Sequence, residues 1–154
     1  MVRPFSIRGF TFVELLVVIA IIGIIATIST TTFHTMYQKA TLESGASEVF
    51  DALTDARAKT LASQGSSVYG VHFSSTTVTR FMGDTYTSGA STNSVYTFES
   101  SILATSSIIS ASGNVLFSRL TGISNATGTI YVYDSSGAGT TTVIIHGSGL
   151  IEYE

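Results

Sequence analysis

Arg8-Gly9-Phe10-Thr11-Phe12-Val13-Glu14 opens onto LLVVIAIIGIIATI at residues 15–28, and the reading of this stretch decides the fold. From Phe10 to Ile28 there are 19 residues, and Glu14 is the one charge among them. As a helix, a run of that length crosses a hydrocarbon layer of about 30 Å. A lone carboxylate inside such a segment is costly and marks a function that needs a named partner. The apolar run supplies no cation to serve as that partner, which points to a group on another chain and so to assembly.

The flanks constrain the kind of segment. Arg3 and Arg8 precede it and no basic residue follows until Lys39, so the short N-terminus is expected to stay cytoplasmic. A secretory signal peptide shares the basic start and apolar core, but its core runs only about 7–15 residues and ends in an A-x-A-like site. The region after this core, TISTTTFHTM, has small residues without that pattern. A plain single-span anchor is the other bland alternative. Neither accounts for Gly9 before a Phe, or for a Glu four residues after that Phe.

Residues Arg8 to Leu16 resemble the class III leader and cleavage motif of type IV pilins and type II secretion pseudopilins. The elements present are a short basic leader, Gly9, then Phe10, Glu14 at the fifth position after the scissile bond, and the apolar stretch. The resemblance implies that a prepilin peptidase cuts Gly9–Phe10 on the cytoplasmic side and methylates the new amine of Phe10. It implies further partners: the lipid bilayer, an inner-membrane assembly platform, and other pilin or pseudopilin subunits. The mature chain would keep its apolar segment, sit as a single-pass protein of the inner membrane with its globular part outside the cytoplasm, and pass into a pilus or pseudopilus.

The motif also makes physical sense without the family. A helix N-terminus carries partial positive charge and four unpaired N–H groups, and these are expensive to leave unmatched in lipid. If subunits stack with an axial offset, the Glu14 carboxylate of one can meet the Phe10 amine of its neighbour. In a low-dielectric medium that attraction is strong, and the pair relieves two buried charges at once. Glu14 is therefore read as a register device for polymerisation, not as a catalytic group.

Composition bounds the remainder. Of 154 residues, 44% are hydrophobic and only 11% charged, which suits an anchored chain with a filled core. There is no cysteine, so the domain has no disulfide although it is expected to face an oxidising space. Loss of Arg3 and Arg8 on cleavage leaves five basic against ten acidic side chains, a formal charge of −5. An acidic surface argues against a nonspecific grip on nucleic acid.

Beyond Ile28 the pattern becomes one-sided. Phe33, Met36, Tyr37, Ala40, Ala46, Val49, Phe50, Leu53, Ala56, Thr60 and Leu61 recur at helical spacing, while Glu43, Glu48, Asp51, Asp55 and Lys59 mostly take the other face. The only proline is Pro4, so nothing of that kind interrupts the pattern from Phe10 to Ala62. A helix of about 50 residues reaches on the order of 75 Å. Two helices broken at Thr27–Thr32 are the alternative. Many pilins carry a proline about where Thr31 stands, so the usual kink of the stem is in doubt here. Gly65, after Gln64, suits a helix C-cap.

From there the sequence turns β-like: Val68–Phe73, Thr77–Phe81, Val95–Phe98, Asn114–Phe117, Gly128–Asp134, Thr141–His146 and Leu150–Tyr153 are short runs rich in Val, Ile, Thr, Tyr and Phe. Residues 134–139, Asp-Ser-Ser-Gly-Ala-Gly, read as a hairpin turn. Residues 83–112, dominated by Ser, Thr and Gly, read as long surface loops. The expected fold is α+β, a long N-terminal helix packed on antiparallel sheet. Its parts are a cleaved leader (1–9), a transmembrane and polymerisation helix (10–32), an amphipathic stem (33–64) and a β-rich globular domain (65–154).

Leu53-Thr54-Asp55-Ala56-Arg57 at the end of the stem, with the order of strands and glycines after it, resembles the pseudopilin H/FimT-like minor pilins, more loosely than the leader resembles its class. Arg57 could form a bridge between subunits; the favoured reading gives it loop carbonyls, or Asp51 or Asp55, within its own chain. The function expected is a structural subunit, with a tip-located binding pilin (DNA uptake or adhesion) as the alternative. FimT-like members that bind DNA present arginines near the final strand; here His146 to Glu154 contains no Lys or Arg and two acids.

Catalysis finds no support. His34, His72 and His146 lack metal-site spacing, thiol chemistry is excluded by composition, and no serine sits in G-x-S-x-G. Asp84 and Asp134 could ligate calcium in principle, yet no EF-hand series surrounds them and they read as surface turn residues. No catalytic residue, cofactor or metal site is expected.

Overall fold

The computed structural model describes residues 9–109, 113–137 and 139–154, and the side chains at 28–32 and 109 lie outside that description. Of the expected leader only Gly9 is therefore described. Helix α1 spans Phe12–Leu61, and the chain divides into two compact units, one through Tyr37 and one from Gln38 to Glu154.

In the first unit the large apolar side chains of α1 are exposed all round, from Phe12, Val13 and Leu15 to Ile24 and Ile25. A helix apolar on every side has no single face to bury and needs surroundings that are themselves apolar. Among the described residues no helix is long and apolar enough to cross a membrane. The segment expected to span, residues 10–32, includes the five side chains at 28–32 that are outside the description.

In the second unit α1 becomes one-sided. Leu42, Ala46, Val49, Leu53, Ala56 and Thr60 are buried at alternating spacings of four and three, the seam of a helix lying on a core. Small residues let the helix lie close: a Cβ added at Gly45 would stand 3.0 Å from Ile102 Cγ2. The expected stripe is thus found from Ala46 to Thr60, with Phe50 half-buried and with Leu42 and Ala52 added, whereas Phe33, Met36, Tyr37 and Leu61 are 72%, 66%, 65% and 38% exposed and Ala40 is exposed as well.

The helix stops at Leu61, earlier than the expected Gln64. The Ser63 N–H bonds back to the Thr60 carbonyl at 3.0 Å, Ser63 takes a left-handed backbone (φ 48°), and a 3₁₀ turn, Gln64–Ser66, follows with Gly65 at φ 61°. Thr60 ties this end to the sheet. Its buried Oγ1 donates to Ala56 O and accepts the Tyr69 N–H, both at 2.8 Å.

Eight strands follow: β1 (Tyr69–Phe73), β2 (Thr77–Met82), β3 (Ser94–Thr97), β4 (Ile102–Ile109), β5 (Asn114–Leu116), β6 (Thr127–Asp134), β7 (Thr140–Ile145) and β8 (Ile151–Tyr153). They form two four-stranded antiparallel sheets, ordered β3-β2-β1-β5 and β4-β6-β7-β8. The α+β class is as the sequence predicts, with two sheets where one was expected. Val71, Val78, Val115, Ile130, Val132, Val143 and Ile145 alternate inward and meet the helix seam in one core. Each such side chain contributes on the order of 1.5–3 kcal/mol by leaving water.

One expectation is corrected. Residues 83–112 are not all loop, because β4 pairs with β6 along its whole length, from Ile102↔Asp134 to Ile109↔Thr127. Its centre, Ala104-Thr105-Ser106-Ser107, is small and polar because Thr105, Ser106 and Ser107 are exposed, while Ile102 and Ala104 alternate into the core.

Candidate assembly site at the start of the helix

Gly9, Phe10 and Thr11 precede α1, and Glu14 falls in its first turn. Thr11 occupies the N-cap position: its Oγ1 accepts the Glu14 N–H at 3.2 Å, and its carbonyl accepts the Leu15 N–H at 3.2 Å. A threonine followed three residues later by glutamate is the sequence signature of a capping box. Helix start, cap and carboxylate are therefore fixed within four residues, Thr11 to Glu14. A carboxylate in the first turn is favoured by the helix dipole.

Gly9, Phe10, Thr11 and Glu14 line one shallow concavity. Phe10 is 83% exposed, and among the described residues the Glu14 carboxylate makes no hydrogen bond or ion pair. Phe10 lies two residues before the start of α1, and Glu14 is the third residue of the helix. The arrangement offers an exposed Gly–Phe bond ahead of a capped helix, and an acid in its first turn that has no counter-charge among the described residues.

The other candidates have the following partners. Arg57 donates through Nε to the Gly122 carbonyl at 3.2 Å, the loop-carbonyl partner favoured from sequence. Asp55 instead pairs with Arg80 of β2 and with Lys59 at 3.2 Å, tying α1 to the first sheet. Asp134 is not the surface turn residue expected: it is 3% exposed, and its Oδ1 accepts the Ser136 N–H at 2.6 Å inside the β6–β7 hairpin. Asp84 is exposed in a loop. His72 Nδ1 meets Asn114 Oδ1 at 2.8 Å and stacks on Tyr86, while His146 Nε2 lies 3.1 Å from Glu152. Among the described residues no group of three or more His, Asp or Glu side chains is placed to hold a metal ion.

The carboxyl of Glu48 is perturbed. Burial pushes its pKa up, and the nearby Glu99 carboxylate adds to the shift. Its Oε2 is buried without a partner.

Residues 5–30 match the prokaryotic N-terminal methylation motif. The matched segment contains Gly9, Phe10, Thr11 and Glu14, and it supports a place for the chain in the type IV pilin and pseudopilin superfamily. No curated protein and no solved structure matches the chain.

Proposed function

We propose that this chain is a subunit of a type IV pilus or type II secretion pseudopilus, of the H/FimT-like minor kind, assembled through the first half of α1. The observation that carries the reading is the methylation-motif match over residues 5–30, with its Gly9–Phe10 bond just outside a helix whose first turn holds an unpaired Glu14. In this reading a prepilin peptidase cuts after Gly9 and methylates the amine of Phe10. The apolar residues from Phe12 onward then hold the subunit in the inner membrane, N-terminus inward, until it joins the fibre. The exposure of those side chains all round the helix fits a segment whose partners are lipid first and neighbouring helices later.

Glu14 sets register by meeting the Phe10 amine of the adjacent subunit. Thr11 supports that pairing by satisfying the Glu14 N–H within its own chain, which leaves the carboxylate for the neighbour. The test is mass spectrometry of the native protein's N-terminus. A chain starting at methylated Phe10 is expected, and a start beyond residue 28 would refute the reading.

A further inference from the structure

The outer edge of β8 is the feature that neither anchoring nor helix pairing uses. β8 ends the order of its sheet, bonded to β7 alone. Thr142 and Glu154 exchange both backbone hydrogen bonds at 2.9 Å, and the His146 N–H bonds to the Leu150 carbonyl at 2.9 Å. By the alternation of an antiparallel ladder, Leu150, Glu152 and Glu154 turn their backbone groups toward β7. Ile151 and Tyr153 therefore turn theirs outward, and among the described residues no backbone group pairs with them. That leaves two donors and two acceptors in a row on a free strand edge.

This edge borders a groove. Two adjoining concavities share Phe50, one reaching along α1 to Thr54 and Arg57 and the other to Ser47 and Glu43. These helix positions, spaced by fours and threes, form one face of α1 beside the β8 edge. Ile151 and Tyr153 lie opposite Ile145 and Val143, so their side chains point to the same side as the core and toward Phe50. At the end nearest Leu150 stands Arg57, which among the described residues spends only Nε, on Gly122 O, and makes no ion pair. The rest of its guanidinium fork can receive a carboxylate in paired hydrogen bonds.

We propose that this groove accepts an extended peptide segment of a partner protein by strand addition to β8. The segment runs antiparallel to β8, so that its C-terminal end reaches Arg57. It carries apolar side chains at alternate positions over Phe50 and a carboxylate, Asp or Glu, at the Arg57 end. Backbone bonds to Ile151 and Tyr153 give affinity, while Phe50 and Arg57 select the sequence. The site uses neither Phe10 nor Glu14, so it stands or falls separately from the assembly reading.

The probe is a set of acetylated, amidated pentapeptides of alternating Val and Thr ending in Asp, with Asn-ending counterparts. They are titrated into the full chain in detergent and followed by isothermal titration calorimetry and amide hydrogen exchange. Binding below about 1 mM is expected, with slowed exchange at the Ile151 and Tyr153 amides. Tyr153→Pro removes an outward N–H without touching the ladder to β7, and should weaken binding at least about tenfold. Arg57→Gln should weaken the Asp peptides about tenfold while leaving the Asn peptides unchanged, a difference that general unfolding would not produce. Failure of every peptide at about 1 mM, or binding indifferent to Tyr153→Pro, overturns the proposal. So does a chain that pairs through β8 with a second copy of itself, seen as a dimer that Tyr153→Pro converts to monomer.

Discussion

Substituting Gly149 by alanine tests the closest approach in the second unit. Gly149 sits in the turn between β7 and β8 at φ +82°, and a Cβ there would stand 1.9 Å from the Gly122 carbonyl oxygen and 2.9 Å from Arg57 Nε. The left-handed backbone alone costs an alanine roughly 1 kcal/mol. A carbonyl oxygen cannot swing aside like a side-chain tip, so one of the two loops must move, in the range of about 1–3 kcal/mol for overpacking. Moving Gly122 also stretches its bond from Arg57, worth about 1 kcal/mol. The total is on the order of 3–5 kcal/mol, near the top of what single substitutions do. Gly137 provides the control, because at φ +83° it has nothing within 4 Å of its added Cβ and should lose only the backbone share. At about 4 °C per kcal/mol for a domain of this size, the two alanine variants should melt roughly 8–16 °C apart. Thermal unfolding by circular dichroism of both variants reads the difference directly. A separation under about 3 °C would mean that the 118–123 loop and the β7–β8 turn are not in contact as described.

Glu14→Val should leave the protein cleaved and inserted yet absent or strongly reduced in sheared filaments, since an unmatched Phe10 amine costs a few kcal/mol per interface; fractionation of wild type and variant measures this, and equal entry into filaments would remove Glu14 as an assembly determinant. Glu48 has a raised pKa when folded, so its stabilising contribution is present at low pH and is lost as pH rises through that value. Glu48→Gln should therefore flatten the fall of melting temperature as pH rises above the ordinary carboxylate range and melt higher than wild type once wild-type Glu48 is ionised, with superimposable curves counting against the burial argument. Asp55→Ala should destabilise by about 1–3 kcal/mol, because it strands Arg80, whose side chain is only 13% exposed. Adding Arg80→Met should recover part of the loss in denaturant titration, and a strictly additive double variant would show that the pair is not coupled.

Sequence reading reached furthest where one physical rule acted alone. The stretch from Phe10 to Ile28, with Glu14 as its single acid, falls inside the match to the methylation motif at residues 5–30, whatever the rest of the chain does. One rule likewise suffices for the helical seam from Ala46 to Thr60 and for β6, whose Ile130 and Val132 alternate with Tyr131 and Tyr133. It failed where local composition and tertiary context disagreed. β4 is polar at its centre because that stretch is a solvent-facing strand, and only pairing with β6 makes it one. Asp134 looked like any turn aspartate, but the hairpin folds its carboxylate inward over Ser136. At the helix start the family motif gives a role to Glu14 but none to Thr11, so it does not point to the cap that links them. The fate of Arg57 was legible because a long side chain on a packed stem has few carbonyls in reach.

The way α1 enters the second unit also sets how that unit would carry load. From Leu42 to Thr60 the helix is held by side chains spread along five turns of one face, with Thr60 bonded to Tyr69 at the far end. A tug delivered through Gln38 along the helix would drag that whole face sideways across both sheets, straining all of these contacts together instead of opening them one at a time. Such a joint yields at the rate of its slowest collective slip, so its resistance is a matter of unfolding kinetics more than of equilibrium stability. Substitutions along the Leu42–Thr60 seam should therefore shorten the lifetime of the domain under tension more than their effect on melting would suggest.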